Sequence, residues 1–280
     1  MIRQRIRLAQ NFLKDPRLVA ALVTNSSITP ADVVLEIGPG EGIITQELAK
    51  IAGKVIAVEQ DSVLAARLRK DLRWKQHVQI HTADFLQFKL EDAAYKIFSN
   101  IPFNRTADIL RTILSSDRVS DAYLIVQSEA AQKYSGVPRE TKASVLAKPW
   151  FTFDFAYRFE RSNFEPVPSV DVVLLHIQRQ ARPRVEKPLA ETYRKFVNYG
   201  FHSTNQNLSL AFKKVFTYTQ WKRLSKEFGF PVKVKPTELR FEQWLGVFNY
   251  FTKGVAEEKK NLVNSLPTGR NKQVFPVSSQ

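Results

Sequence analysis

Asn100-Ile101-Pro102-Phe103 places an amide, a carbonyl ahead of a proline and an aromatic ring in four consecutive residues. A strand-like run, Tyr95 to Ser99, precedes them, and a helix-like run begins near Thr106. In an open α/β sheet, ligands are handled at the carboxyl ends of the strands. An amide oxygen beside a main-chain carbonyl can accept both N–H groups of an exocyclic amine, and an aromatic face can stack on the base that carries it. The chemistry this suggests is methyl transfer to the amino group of a nucleic-acid base. Taken alone, the four residues leave DNA, RNA and protein glutamine open as substrates.

Methyl transfer needs a donor site, and three further strand ends offer one. Asp32 to Ile37 is a buried-type strand that runs into Gly38-Pro39-Gly40-Glu41-Gly42, with a helix following through Thr45 and Leu48. Glycines let a backbone approach a ligand without a Cβ in the way. The dinucleotide fingerprint would need glycine at position 43, which is Ile43, and no Lys-Ser/Thr follows as in a phosphate loop. Glu36 puts a carboxylate where a pyrophosphate would want none. A ligand with cationic groups and no phosphate fits better, and S-adenosylmethionine is such a ligand. The next strand, Lys54 to Val58, ends at Glu59, placed to accept from ribose hydroxyls. A third, Val78 to His81, leads to Asp84 and Phe85, which suit the adenine amino group and the adenine ring.

The elements around these residues read as a doubly wound sheet. Asp15 and Pro16 open a helix through Leu18, Val19, Leu22 and Val23. Gln10 and Asn11, just before it, read on their own as a cap or turn. Asp61 to Arg73 is a helix, Asp121 to Val126 a fifth strand, and Phe151 to Phe159 alternates as an antiparallel strand does. Ser135 to Lys142 is a polar loop with Lys133 and Arg139 close by. Phe164-Glu-Pro-Val-Pro168 is a rigid connection ahead of a last strand, Val170 to Ile177. Arg179 to Pro188 is a basic boundary. Helical periodicity follows over Leu189 to Gly200, Asn205 to Phe216, Thr219 to Phe228 and Phe241 to Phe251. The aromatics there, among them Phe196, Phe212, Trp221, Trp244 and Phe248, stand at core spacing. His202 reads as packed or capping. From Gly254 the chain is polar and turn-rich, and disorder is expected to Gln280.

Charge points to a polyanionic partner. Of 280 residues, 42 are Lys or Arg and 27 Asp or Glu, a net +15. Residues 1–180 hold 24 basic and 20 acidic side chains, net +4; residues 181–280 hold 18 and 7, net +11. Nucleic acid is favoured over a membrane surface. The chain has no cysteine, which excludes disulfides, thiolate zinc sites and the nucleophile of pyrimidine C5-methylation. No apolar run approaches membrane-spanning length. A cytoplasmic protein without a membrane partner is expected.

Gln10-Asn-Phe-Leu13, Glu36-Ile-Gly-Pro-Gly-Glu-Gly42, Asp84-Phe85, Asn100-Ile-Pro-Phe103 and Phe164-x-Pro-x-Pro168 with Val170-Asp171 together resemble the ribosomal RNA adenine N6-methyltransferases. Within them the chain is similar to the Erm branch, whose members modify 23S RNA and give macrolide-lincosamide-streptogramin B resistance. Phe241-Glu-Gln-Trp-Leu245 is similar to the end of Erm proteins. The resemblance covers residues 1–252. It implies a Rossmann-like SAM-dependent methyltransferase sheet over residues 1–179, a small all-helical RNA-binding domain over 180–253 and a tail over 254–280. It implies S-adenosylmethionine as cofactor, no metal, and a monomer acting on free 23S ribosomal RNA or a pre-ribosomal particle.

By resemblance, Gln10, Asn11 and Leu13 lie at the cofactor's methionine end and Gly38 and Gly40 in the glycine turn. Glu59 takes the ribose, Asp84 the adenine amino group, and Asn100 touches both cofactor and substrate. Phe103 stacks on the target base and Phe164 closes its other side. Arg111, Lys133 and Arg139 are candidates for RNA backbone contact. Two alternatives stand: a KsgA-like enzyme acting on small-subunit RNA, and a nucleic-acid-binding relative without catalysis. An adenine methyltransferase of DNA is disfavoured by isoleucine at position 101.

Overall fold

The computed structural model describes residues 11–89, 93–202 and 207–265. The chain divides into two compact units. One holds the residues up to Ala131 and Thr152–Arg179; the other holds Gln132–Phe151 and the chain from Gln180.

The first unit is built on a seven-stranded sheet. Its strands are β2 (Val33–Ile37), β3 (Lys54–Glu59), β4 (Val78–Thr82), β5 (Tyr95–Asn100), β6 (Val119–Gln127), β7 (Phe151–Phe159) and β9 (Val172–Arg179). They lie in the order β4-β3-β2-β5-β6-β9-β7. Strands β2 to β6 pair in parallel, and β9 runs antiparallel to β6. The helices are α1 (Pro16–Thr24), α2 (Ile43–Ile51), α3 (Ser62–Asp71), α4 (Thr106–Ser115) and α5 (Ser128–Ser135), which continues into the second unit. Asp15 caps α1 by accepting from the Arg17 amide, and Asp61 caps α3. Val19, Val23, Leu48, Val55, Phe98 and Ile125 are among the side chains of the buried core.

The winding reverses between β2 and β5: the chain moves outward through β3 and β4, then returns to β5 on the other side. Such a switch point opens a crevice. The β2–β5 register is recorded at Val34↔Lys96 and Leu35↔Ile97. Further along, the Ile37 amide donates to the Ser99 hydroxyl at 2.6 Å, so a side chain replaces the main-chain partner. Outside this sheet, β1 (Phe12–Leu13) pairs antiparallel with β8 (Phe164–Glu165), with Phe12 opposite Glu165 and Leu13 opposite Phe164. Two motifs about 150 residues apart in sequence form that two-stranded ribbon.

The second unit is helical: α6 (Lys142–Ala147), α7 (Ala190–Gly200), α8 (Leu208–Ala211), α9 (Tyr218–Phe228), α10 (Phe241–Gly254) and α11 (Glu257–Asn264). Its core is aromatic. Phe196 lies 4.8 Å from Phe212, 4.9 Å from Phe251 and 6.1 Å from Trp244 by ring centroids. Phe196, Phe212, Trp221, Trp244 and Phe248 are buried, so they are core and not base-stacking platforms.

Four expectations change. The segment Gln132–Phe151 belongs with the helices: the Tyr193 hydroxyl donates to the Val145 carbonyl, and the Arg184 amide to the Pro149 carbonyl. Between Asn207 and Phe216 only Leu208–Ala211 is helical. The chain does not become irregular at Gly254, because α11 follows, buries Val263 and packs on α7. His202 is exposed rather than packed. The tail beyond Ser265 lies outside the described residues. Among the described residues no helix is long and apolar enough to cross a membrane, and no acidic or histidine cluster could hold a metal.

Candidate active site

Two cavities meet at Gly38, at the carboxyl ends of β2 to β5. The larger encloses about 530 Å³ and is lined by Asn11, Leu13, Glu36, Gly38, Asn100 and Ile101, with Lys14, Glu41 and Glu165 among its further walls. The smaller, about 80 Å³, is lined by Gly38, Glu59, Asp84, Phe85, Pro102 and Arg105, with others. All but three of the cofactor and target-base residues named from sequence therefore line one cavity or the other, or lie outside the described residues. The three exceptions are Gly40, Phe103 and Phe164.

Asn100 ends β5. Its Nδ2 donates to the Asn11 carbonyl at 2.6 Å. The amide is thereby oriented by main chain, and its Oδ1 remains an acceptor. Pro102 holds φ at −60°, the value its ring imposes, and fixes the exit from Ile101. Phe103 opens a single 3₁₀ turn, Phe103–Arg105, and its ring is half-buried against the core.

The glycine turn carries left-handed backbone: φ is +66° at Gly38 and +59° at Gly40. Gly40 lines neither of these two cavities. Its amide donates to Glu59 Oε2 at 3.0 Å, and a Cβ there would stand 2.6 Å from the Phe12 ring. The turn is thus clamped between Glu59 and the β1 ribbon. Glu59 is buried and also accepts from the Asp61 amide at 2.9 Å. Two main-chain donors against about four acceptor sites leave this carboxylate able to take ribose hydroxyls.

Glu36 differs from expectation. It is 1% exposed and accepts from the Thr45 hydroxyl at 2.6 Å. Burial, with the neighbouring Glu59 charge adding to it, pushes its carboxyl up to about 8. At neutral pH it is a neutral wall of the larger cavity and not an anionic partner for a cationic ligand. Asp84 is the reverse case. Burial opposes its ionisation, but hydrogen bonds from Arg105 and the Leu86 amide and the guanidinium charge outweigh that, holding the carboxyl below its ordinary range.

Phe164 does not close over a base. It is fully buried, packed against Phe159 at 5.3 Å, and opposite Leu13 in the ribbon. Its motif buttresses the Asn11–Leu13 wall instead. Gln10 lies outside the described residues. Arg111 is paired with Asp108 on α4 at 2.8 Å, whereas Lys133 and Arg139 are exposed and carry no ion pair among the described residues. Arg105 and Thr45 were not singled out from sequence. Thr45 stands nine residues after Glu36, across the glycine turn, and only the fold of that turn brings them together.

The site fits S-adenosylmethionine. A narrow pocket with a buried carboxylate and an aromatic side chain suits a nucleoside, and a wider polar chamber ending at Asn100 suits the amino acid end and the incoming base. Glycine at position 38 removes the side chain where the two cavities join.

The family model "Ribosomal RNA adenine dimethylase" matches residues 1–253. An "rRNA adenine N-6-methyltransferase" of Saccharopolyspora erythraea is 30% identical over 247 residues, which is 88% of this chain and 65% of that relative. The chain thus spans just under two thirds of that relative's length. A "Ribosomal RNA small subunit methyltransferase A" of Chlorobium phaeobacteroides is 29% identical, covering 86% of this chain and 89% of that one. The crystal structure of the 23S rRNA methyltransferase ErmE superposes with a TM-score of 0.81 at 29% identity, covering 87% of this chain and 100% of that one.

Proposed function

Because the chain belongs to the ribosomal RNA adenine dimethylase family, a family that uses S-adenosylmethionine, we propose that it methylates N6 of one adenine in 23S ribosomal RNA and confers macrolide-lincosamide-streptogramin B resistance. The observation that carries the chemistry is the Asn100 amide. Its nitrogen is engaged by the Asn11 carbonyl, which leaves the oxygen to accept from an incoming amine.

The adenine N6 lone pair is delocalised into its ring, so the amine is a poor nucleophile. Two acceptors, Asn100 Oδ1 and the Ile101 carbonyl, draw on its two N–H groups and favour a pyramidal nitrogen whose lone pair points away from them. Pro102 keeps the carbonyl aimed by fixing the backbone. The bound cofactor supplies an electrophilic methyl on a sulfonium. The residues around it hold the amine in line with that methyl, and such positioning accounts for much of the rate. The nitrogen turns acidic only once it has gained the methyl, so the site needs no strong base. The target base must leave its stack, and the Phe103 ring face offsets part of that loss. Glu59 and Asp84 serve the ribose and the adenine of the cofactor, and Asn11 and Leu13 its methionine end.

The large-subunit assignment rests on the likeness to ErmE and on Asn100-Ile-Pro-Phe103. The small-subunit relative keeps a second substrate in view. Transfer of a labelled methyl to deproteinised ribosomal RNA, followed by digestion to nucleosides, tests the chemistry. N6-methylated adenosine is expected with the wild type, and Asn100→Ala should yield little at unchanged RNA affinity. Label on any other nucleoside contradicts the reading.

A further inference from the structure

Arg105 ends the turn that Phe103 begins. Its guanidinium closes on Asp84: Nη1 lies 3.1 Å from both carboxylate oxygens and Nη2 3.1 Å from Oδ2. The Leu86 amide also donates to Oδ1, at 3.0 Å. Strands β3 and β2 separate β4, which leads to Asp84, from β5, which leads to Arg105. The pair therefore reaches over two strand ends and walls the smaller cavity, which both residues line.

The geometry restricts what Asp84 can do. Its side chain is 21% exposed and that of Arg105 33%, so solvent screens the pair less than an open surface pair. A planar fork fixes the plane of a carboxylate, which a lysine ammonium cannot. Three donors make four hydrogen bonds, two to each oxygen, so a ligand N–H must share an oxygen with the Arg105 fork or the Leu86 amide. The direction from which it can approach is set by those three donors.

We propose that Arg105 is a positioning residue: it orients Asp84 to accept one hydrogen bond from the 6-amino group of the cofactor's adenine, and it ties this recognition to the turn carrying Phe103. Through that tie, filling of the adenosine pocket and placement of the target-base turn are linked. The inference rests on assigning the smaller cavity to adenosine.

Calorimetric binding of S-adenosylhomocysteine and of its analogue lacking the 6-amino group to wild type, Arg105→Ala, Arg105→Lys and Asp84→Ala tests this, with the RNA KM measured at saturating cofactor. The wild type should prefer the amino compound roughly tenfold or more, as one hydrogen bond to a charged acceptor supplies. Arg105→Ala should lose that preference and raise the RNA KM. Arg105→Lys, which keeps the charge without the fork, should regain only part of both. A preference that survives Asp84→Ala overturns the adenosine assignment itself. A preference lost in Asp84→Ala but intact within twofold in Arg105→Ala overturns the role of Arg105. An RNA KM unchanged in Arg105→Ala removes the tie to the target turn. If Arg105→Ala does not fold, Arg105→Lys decides: binding of both compounds as in wild type overturns the proposal.

Discussion

Asn100 owes its role to the group on its other side. The Asn11 carbonyl holds the amide nitrogen, so the oxygen is presented without rotamer choice. Phe103 contributes a ring face, and a hydroxyl has no part in the chemistry. Phe103→Tyr should therefore keep activity, while Phe103→Leu should raise the RNA KM about 5- to 150-fold, in line with about 1–3 kcal/mol per stacked base. Steady-state kinetics of the two variants separate ring from hydroxyl; equal losses would contradict the stacking role. Glu36 gives a pH signature. It stays protonated in the fold up to about 8, whereas unfolded it ionises near its ordinary 4.5. Between those values the folded state binds a proton that the unfolded state lacks, so stability falls as pH rises. The contribution is whole below the unfolded value and lost as pH passes the folded one. Glu36→Gln keeps an acceptor for Thr45 but cannot titrate. Denaturant unfolding at pH 5, 6.5 and 8 should show wild type losing more stability across the series than the variant. Parallel losses would contradict a protonated Glu36.

At the scale of elements, the site depends on loops pinned to one another more than on single strands. Gly40 sits at φ +59° with the Phe12 ring where a Cβ would go. Gly40→Ala should destabilise the protein by roughly 1–3 kcal/mol and weaken cofactor binding, because the turn must shift away from both Phe12 and Glu59. Unfolding and cofactor titration of the variant check this; an unchanged cofactor affinity would show that the clamp is not needed. Strands β2, β3 and β5 were legible in the sequence because each runs into a glycine turn, an acid or the Asn100 motif. Phe151–Phe159 is found with the boundaries its alternation predicts. The partners of the loops were not legible. That Leu13 lies opposite Phe164, that Arg105 reaches Asp84 and that Thr45 faces Glu36 are all consequences of tertiary folding, and no periodicity carries them. Phe164 misled for the same reason. Its motif was recognisable, but whether its ring faces a ligand or the core is settled by the ribbon it forms with β1. The Glu36 charge was equally invisible, since burial sets it and burial follows from the fold.

At the scale of the whole molecule, a net +15 with +11 in the last hundred residues means that RNA affinity should be dominated by pairing with phosphates. Binding should weaken steeply with salt. Lys133 and Arg139 are exposed and unpaired among the described residues, while Arg111 already has Asp108. A Lys133→Ala, Arg139→Ala double variant should weaken RNA binding across sequences and flatten the log–log salt dependence by about 1 for each phosphate no longer neutralised. Arg111→Ala should do less. Filter binding over a salt series measures both, and an unaltered slope in the double variant would remove that loop from the RNA interface. Large- and small-subunit ribosomal RNA, each deproteinised, can be incubated with the protein and labelled S-adenosylmethionine and mapped by primer extension. Label is expected on the large-subunit RNA alone, with a stop at one adenine of its peptidyl-transferase region that Asn100→Ala abolishes. Label confined to small-subunit RNA, or transfer that survives Asn100→Ala, would contradict the proposed function.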